Sequence, residues 1–284
     1  MAARHPPAGS PYNSDRKYNN GRPATPLAGR FFAGRMKSIP LSPGRRLMAD
    51  LSWASLRVPR CVLTVRLEVP RCCAARAALA VPRPPWTTLF LKAFAQVSAA
   101  QPALRRAYAA WPRPHLVEAE HPVGCIVLHR EAEGMLGFAR IQAPDRRPLP
   151  ELAALLDHAA RAPLAQERRL RNMRRFAGFP WPLRRLALLV AMALAKPVLR
   201  AGGTFAISTL GSRGVDIVDS VSILPCFLTY GPIGADGGVQ VHLCFDHRVI
   251  DGADGAIALA ALQAALEGPV TDELRALAGP APPC

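Results

Sequence analysis

Two short stretches of the sequence hold side chains that could do chemistry together. The first is residues 245–252, FDHRVIDG, which directly follows a β-rich run and directly precedes a helical one. A histidine on such a turn can present its imidazole to a cleft, and neutral imidazole is the usual general base near pH 7. Asp251 lies four residues after His247, close enough to fold back and fix the turn. Gly252 permits a backbone approach that a Cβ would block. The second stretch is residues 202–211, GGTFAISTLG, with Ser208 near the end of a strand and 39 residues ahead of His247. A hydroxyl there can donate a hydrogen bond to an oxygen that becomes negative during a reaction. Taken alone, the His-x-x-x-Asp spacing favours a structural histidine in a strand–turn–helix, and a core hydroxyl bonded to backbone is the lesser reading of Ser208.

The elements that must position these residues are legible in part. Residues 43–53 have helical spacing, with Leu47, Leu51 and Ala54 on one side, and residues 61–69 are β-rich. Residues 86–101 form a helix after Pro85, with an apolar face of Leu89, Phe90, Ala93, Phe94 and Val97. The spacing predicts a second short helix over 102–110. Strands are expected at 121–129 and 136–142, then a helix at 149–162 with Leu152, Leu155, Leu156 and Ala159 inward. Residues 163–200 read as an Arg-rich helical segment, a break at 179–182 and an apolar helix at 183–195. Strands follow at 204–210, 225–230 and 239–245, then a helix at 254–267. Residues 269–284 are expected to fray. This order is α+β, with strands gathered toward the C-terminal half.

Composition narrows the class. The chain has 284 residues with a formal net charge of +16, and half of its residues are apolar. Residues 1–60 hold 11 Lys and Arg against 2 Asp and Glu, and residues 161–200 hold 10 against 1. Elsewhere the charge is close to balanced. The basic character therefore belongs to two segments, which argues against a basic nucleic-acid-binding domain, and no nucleic-acid module is recognisable. Seven cysteines without a C-x-x-C framework fit buried thiols in a reducing compartment. No apolar run is long enough for a membrane span, and the first twenty residues lack the apolar core of a secretory signal. Residues 1–38 read as a disordered basic tail.

The two stretches, with SILPCFLTYGPI between them, resemble the catalytic domain of the 2-oxoacid dehydrogenase acyltransferases, the dihydrolipoyl acyltransferase family. That family shares its fold with chloramphenicol acetyltransferase. It carries a GGTFTISNLG-like strand, an apolar segment with Pro, then DHRxxDGA and a terminal helix. More loosely, PLSPGRRLMADL and TTLFLKAFAQVSAAQPALRRAY resemble its opening helix and its long helix. The resemblance covers roughly residues 40–275. It implies a two-layer sandwich, a mixed sheet with helices on one side, assembled as a homotrimer. It also implies that His247 is the catalytic base, that Ser208 stabilises the tetrahedral oxyanion, and that Asp251 orients and supports the turn. In this fold the site lies between subunits, so His247 of one chain would face Ser208 of its neighbour.

The expected activity is therefore acyl transfer between a coenzyme A thioester and a thiol or hydroxyl acceptor. Coenzyme A enters as a co-substrate, with no tightly bound cofactor and no metal. The domain is expected at 39–275, with residues 276–284 as a frayed end. Two departures from the family stand out. No lipoyl domain or peripheral-subunit-binding domain is visible, so a lipoyl domain would come from another chain. The stretch 168–200 is an insert before the GGTFAIS strand. Its Arg168, Arg169, Arg171, Arg174, Arg175, Arg184 and Arg185 flank an apolar helix, with Trp181 between. That pattern suits an anionic membrane surface, the phosphates of coenzyme A or the wall of an acyl-chain pocket. A plain helix packed on the domain is the simpler reading. The expected location is cytoplasmic, with peripheral membrane contact through the insert. The alternative function is a catalytically silent relative that serves as a binding or assembly scaffold with a membrane-contacting insert.

Overall fold

A computed structural model of the protein describes residues 37–130, 135–162 and 168–278. Leu41–Cys284 form one unit. Most of the basic tail lies outside the described residues.

The chain opens with α1 (Pro43–Ser55), where Ser42 Oγ accepts from the Arg45 backbone N–H at 3.3 Å and Pro43 occupies the first turn. Then come β1 (Arg60–Glu68), α2 (Pro70–Ala77), α3 (Trp86–Ala100), β2 (Arg106–Ala109), β3 (His115–Glu118), β4 (Val123–Arg130) and β5 (Met135–Gln142). Four helices follow: α4 (Leu149–Arg161), α5 (Arg168–Gly178), α6 (Trp181–Leu194) and α7 (Lys196–Gly202). The last third is β6 (Phe205–Thr209), β7 (Cys226–Ile233), β8 (Gly238–Asp246), α8 (Gly252–Ala265) and α9 (Thr271–Ala278).

Six strands form one mixed sheet in the order β1-β8-β7-β6-β4-β5. β6 runs parallel to both β4 and β7, and the remaining pairs are antiparallel. Because side chains alternate along a strand, each strand divides its residues between two faces. Phe205 and Ile207, Leu228 and Tyr230, and Leu243 and Phe245 point into the main core. There they meet α3, whose Leu89, Phe90 and Phe94 are fully buried, together with α2, α4, α8 and α9. Residues of the other parity, among them Cys125, Ala206, Phe227 and Cys244, form a smaller cluster on the opposite face. The insert helices and α1 lie over that second face, around a cavity described below.

Three expectations are corrected. Residues 102–110 are not a helix: a single 3₁₀ turn at Pro102–Arg105 leads into β2. Pairing overrides the local spacing, because β2 joins β3 and the N–H groups of Ala110 and Trp111 both donate to Ala193 O on α6. Within α4, Leu152 and Leu156 are buried, but Leu155 is exposed. The chain does not fray from 269. α9 continues to Ala278, anchored by fully buried Leu274 and by Thr271, whose Oγ1 donates to Leu266 O at 2.7 Å. Residues 279–284 lie outside the described residues.

Candidate active site

The GGT of the upstream motif starts β6. Gly203 has φ +103°, and a Cβ there would lie 2.5 Å from Val123 O. Only glycine fits this approach without strain. Thr204 then clamps β6 to β4: its N–H donates to Val123 O at 2.9 Å, and its Oγ1 accepts from Val123 N–H at 3.0 Å. Four residues later Ser208 sits opposite Thr229 of β7, on the second face of the sheet. It is half-buried, and its hydroxyl makes no hydrogen bond among the described residues. Neighbouring Thr209 is engaged, donating to Tyr230 O at 2.7 Å and accepting from Gly211 N–H at 3.0 Å.

At the other end of the sheet, β8 stops at Asp246 and the chain turns before α8. The buried Asp246 carboxylate organises this turn. Its oxygens accept from Arg248 Nε at 2.9 Å, Arg248 Nη2 at 2.6 Å and the Arg248 backbone N–H at 3.0 Å. The Arg248 guanidinium also lies 4.5 Å from the Tyr108 ring centre, a cation–π contact. The His247 backbone N–H donates to Pro59 O at 2.9 Å. The backbone around His247 is thus held on both sides, while its ring projects outward with 52 % of the side chain exposed. The ring meets Phe245 edge-on, with centroids 5.9 Å apart. Nδ1 lies 3.6 Å from Asp251 Oδ1, an ion-pair distance rather than a hydrogen bond. Asp251 is itself 82 % exposed and its side chain does not cap α8. Nε2 has no partner among the described residues.

The structure brings His247 and Asp251 together and keeps Ser208 away from them. Ser208 is level with Thr229, and Thr229 is level with His242 of β8. His247 is five residues beyond His242, past the strand end. At ~3.3 Å per residue and ~4.8 Å per strand spacing, the separation is roughly 15 Å along the strands and about 10 Å across them. No side chain spans that gap within one chain.

His242 is a further histidine on β8, ahead of the His247 turn. It is buried, with Nδ1 2.9 Å from Thr64 Oγ1 and Nε2 fully buried without a partner. Its position in an alternating strand gave no local signal. Three buried cysteines are poor nucleophiles: burial pushes the thiols of Cys72 and Cys244 up to about 12, and that of Cys226 higher still.

The insert is tied down by a buried ion pair. Arg184 Nε donates to Asp50 Oδ2 at 2.6 Å, and Arg185 Nε to Oδ1 at 3.3 Å. The Arg184 guanidinium also donates to the carbonyls of Ala177 and Phe179. This fastens α6 to α1 and caps the end of α5. The outer side of α6 is apolar and exposed at Leu183, Leu186 and Val190, and Phe179 and Trp181 are exposed at the α5–α6 corner. Arg174 and Arg175 are exposed on α5. Among the described residues no helix is long and apolar enough to cross a membrane.

A six-stranded mixed sheet with this helical layer defines the fold class: it is that of the catalytic cores of dihydrolipoamide acetyltransferases. A probable dihydrolipoamide acetyltransferase from Listeria monocytogenes 4b F2365 superposes with a TM-score of 0.62 at 20 % identity, covering 83 % of this chain and 95 % of its own. The Azotobacter vinelandii dihydrolipoamide acetyltransferase also gives 0.62 at 20 % identity, covering 87 % and 97 %. In that enzyme the roles of a serine, a histidine and an asparagine in the catalytic mechanism have been investigated. A truncated catalytic core of the 2-oxoacid dehydrogenase complex from Thermoplasma acidophilum gives 0.61 at 17 % identity, covering 82 % and 99 %. No protein-family model matches the sequence, and no curated protein matches it.

Proposed function

We propose that this chain is an acyltransferase that moves an acyl group from a coenzyme A thioester to a thiol or hydroxyl acceptor, within a homotrimer. One observation carries the reading: in the FDHRVIDG turn, Asp246, Arg248 and the backbone of His247 are all engaged, and the imidazole is left outward beside Asp251 with Nε2 free. His247 Nε2 takes the proton from the acceptor as its sulfur or oxygen attacks the thioester carbonyl. The resulting oxyanion accepts a hydrogen bond from the free Ser208 hydroxyl of the adjacent protomer. The tetrahedral intermediate collapses, the C–S bond breaks, and the leaving thiolate recovers the proton from the imidazolium. Asp251 faces Nδ1 and favours the tautomer that leaves Nε2 unprotonated. In the Azotobacter enzyme the asparagine stands four residues after the histidine, the spacing of His247 and Asp251 here. A lipoyl domain carried by another chain is one source of the thiol. Cysteines spaced without a C-x-x-C framework support a cytoplasmic location.

The test is acyl exchange between labelled acyl-CoA and dihydrolipoamide or small alcohols, for the wild type and His247→Ala. General-base loss typically costs ~10²–10⁴-fold. Equal silence of both proteins across acyl chain lengths would overturn the reading in favour of a scaffold.

A second reading concerns the insert. The exposed apolar side of α6, the aromatic corner and the exposed arginines of α5 support peripheral contact with an anionic membrane. Flotation with vesicles containing anionic phosphatidylglycerol should carry the protein upward, and Trp181→Glu should abolish this. Equal flotation of both, or of neither, would remove the reading.

A further inference from the structure

Beneath the insert this chain keeps a cavity of about 730 Å³. That volume falls within the ~300–1,000 Å³ range of small-molecule sites. Its floor is the second face of the sheet, at Val127, Phe138, Ala206 and Phe227; its roof includes Leu51 of α1, Phe176 of α5 and Leu188 of α6. The floor crosses four neighbouring strands, β5, β4, β6 and β7, an extent of about 14 Å at ~4.8 Å per spacing. The cavity thus runs across four strands and is walled mainly by aliphatic and aromatic side chains.

The polar groups in the wall differ in kind. Asp50 is neutralised by Arg184 and Arg185. Ser222 Oγ accepts from Leu224 N–H at 3.0 Å. Asn172 of α5 and Arg200 of α7 also line the cavity, are exposed, and make no ion pair or hydrogen bond among the described residues; of the two only Arg200 carries a charge. An apolar trough offers little to water. One unpaired guanidinium at its edge offers a great deal to a carboxylate. None of His247, Asp251 and Ser208 lines this cavity.

We infer that the cavity is a binding site for the aliphatic chain of an anionic amphiphile, a long-chain fatty acid being the simplest case. The chain lies across the sheet beneath α5 and α6, and the carboxylate meets Arg200. Binding requires no turnover at His247, so its outcome is separable from that of the acyltransferase reading.

The experiment uses the full-length, delipidated protein and the fluorescent fatty acid cis-parinaric acid, with palmitate, palmitate methyl ester, palmitoyl-CoA and coenzyme A as competitors. The expected result is one saturable probe site per chain, displaced by palmitate and not by coenzyme A alone. Displacement by palmitoyl-CoA but not by palmitate would overturn the pairing of Arg200 with a carboxylate. Ala191→Trp, which places an indole in the cavity, should remove probe binding. Should that variant fail to fold, Arg200→Glu provides the test, since an exposed, unpaired side chain contributes little to folding. It should weaken palmitate about tenfold, the scale of a lost hydrogen bond to a charged group, and leave the methyl ester unchanged. His247→Ala should bind like the wild type. Absence of saturable binding, or Ala191→Trp binding the probe normally while folded, would overturn the inference.

Discussion

The separation of His247 and Ser208 along the register makes a quantitative prediction about mixed oligomers. Within one chain they lie roughly 15 Å apart along the strands and about 10 Å across them. A site that uses both must therefore draw them from different protomers. His247→Ala should lower acyl transfer by ~10²–10⁴-fold, and Ser208→Ala by ~10²–10³-fold. In the proposed homotrimer, each variant alone leaves every site without one partner. When the two are coexpressed in equal amounts and assemble at random, a site is intact only if its first protomer keeps the histidine and its neighbour keeps the serine. In a closed cyclic trimer this holds for about one site in four. Activity should thus rise from about one per cent or less of wild type to about a quarter, a change of at least an order of magnitude. The assay is acyl exchange on doubly tagged, tandem-purified mixtures, with separately purified variants combined afterwards as the control for subunit exchange. Mixed trimers no more active than the better single variant would refute the shared site.

Other consequences are more local. Asp50→Ala should destabilise the insert by about 3–5 kcal/mol, the usual cost of leaving one partner of a buried ion pair alone. Thermal melting and proteolytic cleavage between α5 and α6 would report it, and an unchanged melt with unchanged cleavage would show that Arg184 finds other partners. Gly203→Ala places a Cβ 2.5 Å from Val123 O at φ +103° and should cost more than about 1 kcal/mol in a urea titration. The thiols of Cys72 and Cys244 are raised from 9.0 to about 12 in the folded chain. Folding therefore favours their protonated forms. That contribution is fully present below pH 9 and is lost as pH rises toward about 12, with a slope of about 1.4 kcal/mol per pH unit for each thiol. Cys244→Ala should flatten the alkaline arm of a stability–pH profile, and an unchanged slope would contradict the burial argument.

The turn around His247 was readable because its reasons are local. Asp246, His247, Arg248 and Asp251 lie within six residues, and the ion pair that shapes the turn joins positions two apart. The strands that carry the site were readable because alternation is a local pattern with a fixed period. Residues 106–109 were not, since their strand character comes from β3 and from two hydrogen bonds to Ala193. The short α2 was missed for a similar reason: its N-terminal turn is closed by Glu267, which accepts from the N–H groups of Arg71 and Cys72 nearly two hundred residues away. The insert shows the same division. Its charge and apolar run are plain in the sequence, but the carboxylate that turns two of its arginines into a roof is 134 and 135 positions upstream.

That roof bears on why the insert is two-faced. A lone apolar helix laid on the sheet would bury one side and expose a polar one. In α6 the inward side carries Arg184, Leu188 and Ala191, while the outward side carries Leu183, Leu186 and Val190. A charged residue has been placed inward and leucines outward, against the ordinary sorting. Asp50 compensates the first inversion, and the carbonyls of Ala177 and Phe179 complete the guanidinium's hydrogen bonds. The second has no compensation within the described residues. A cavity inside and an uncovered apolar side outside are what a helix needs if it stands between an aliphatic ligand and a lipid surface. Trp181→Glu and Ala191→Trp address the outer and inner sides separately. Loss of vesicle binding in the first with fatty-acid binding retained, and the reverse in the second, would assign each side its own ligand.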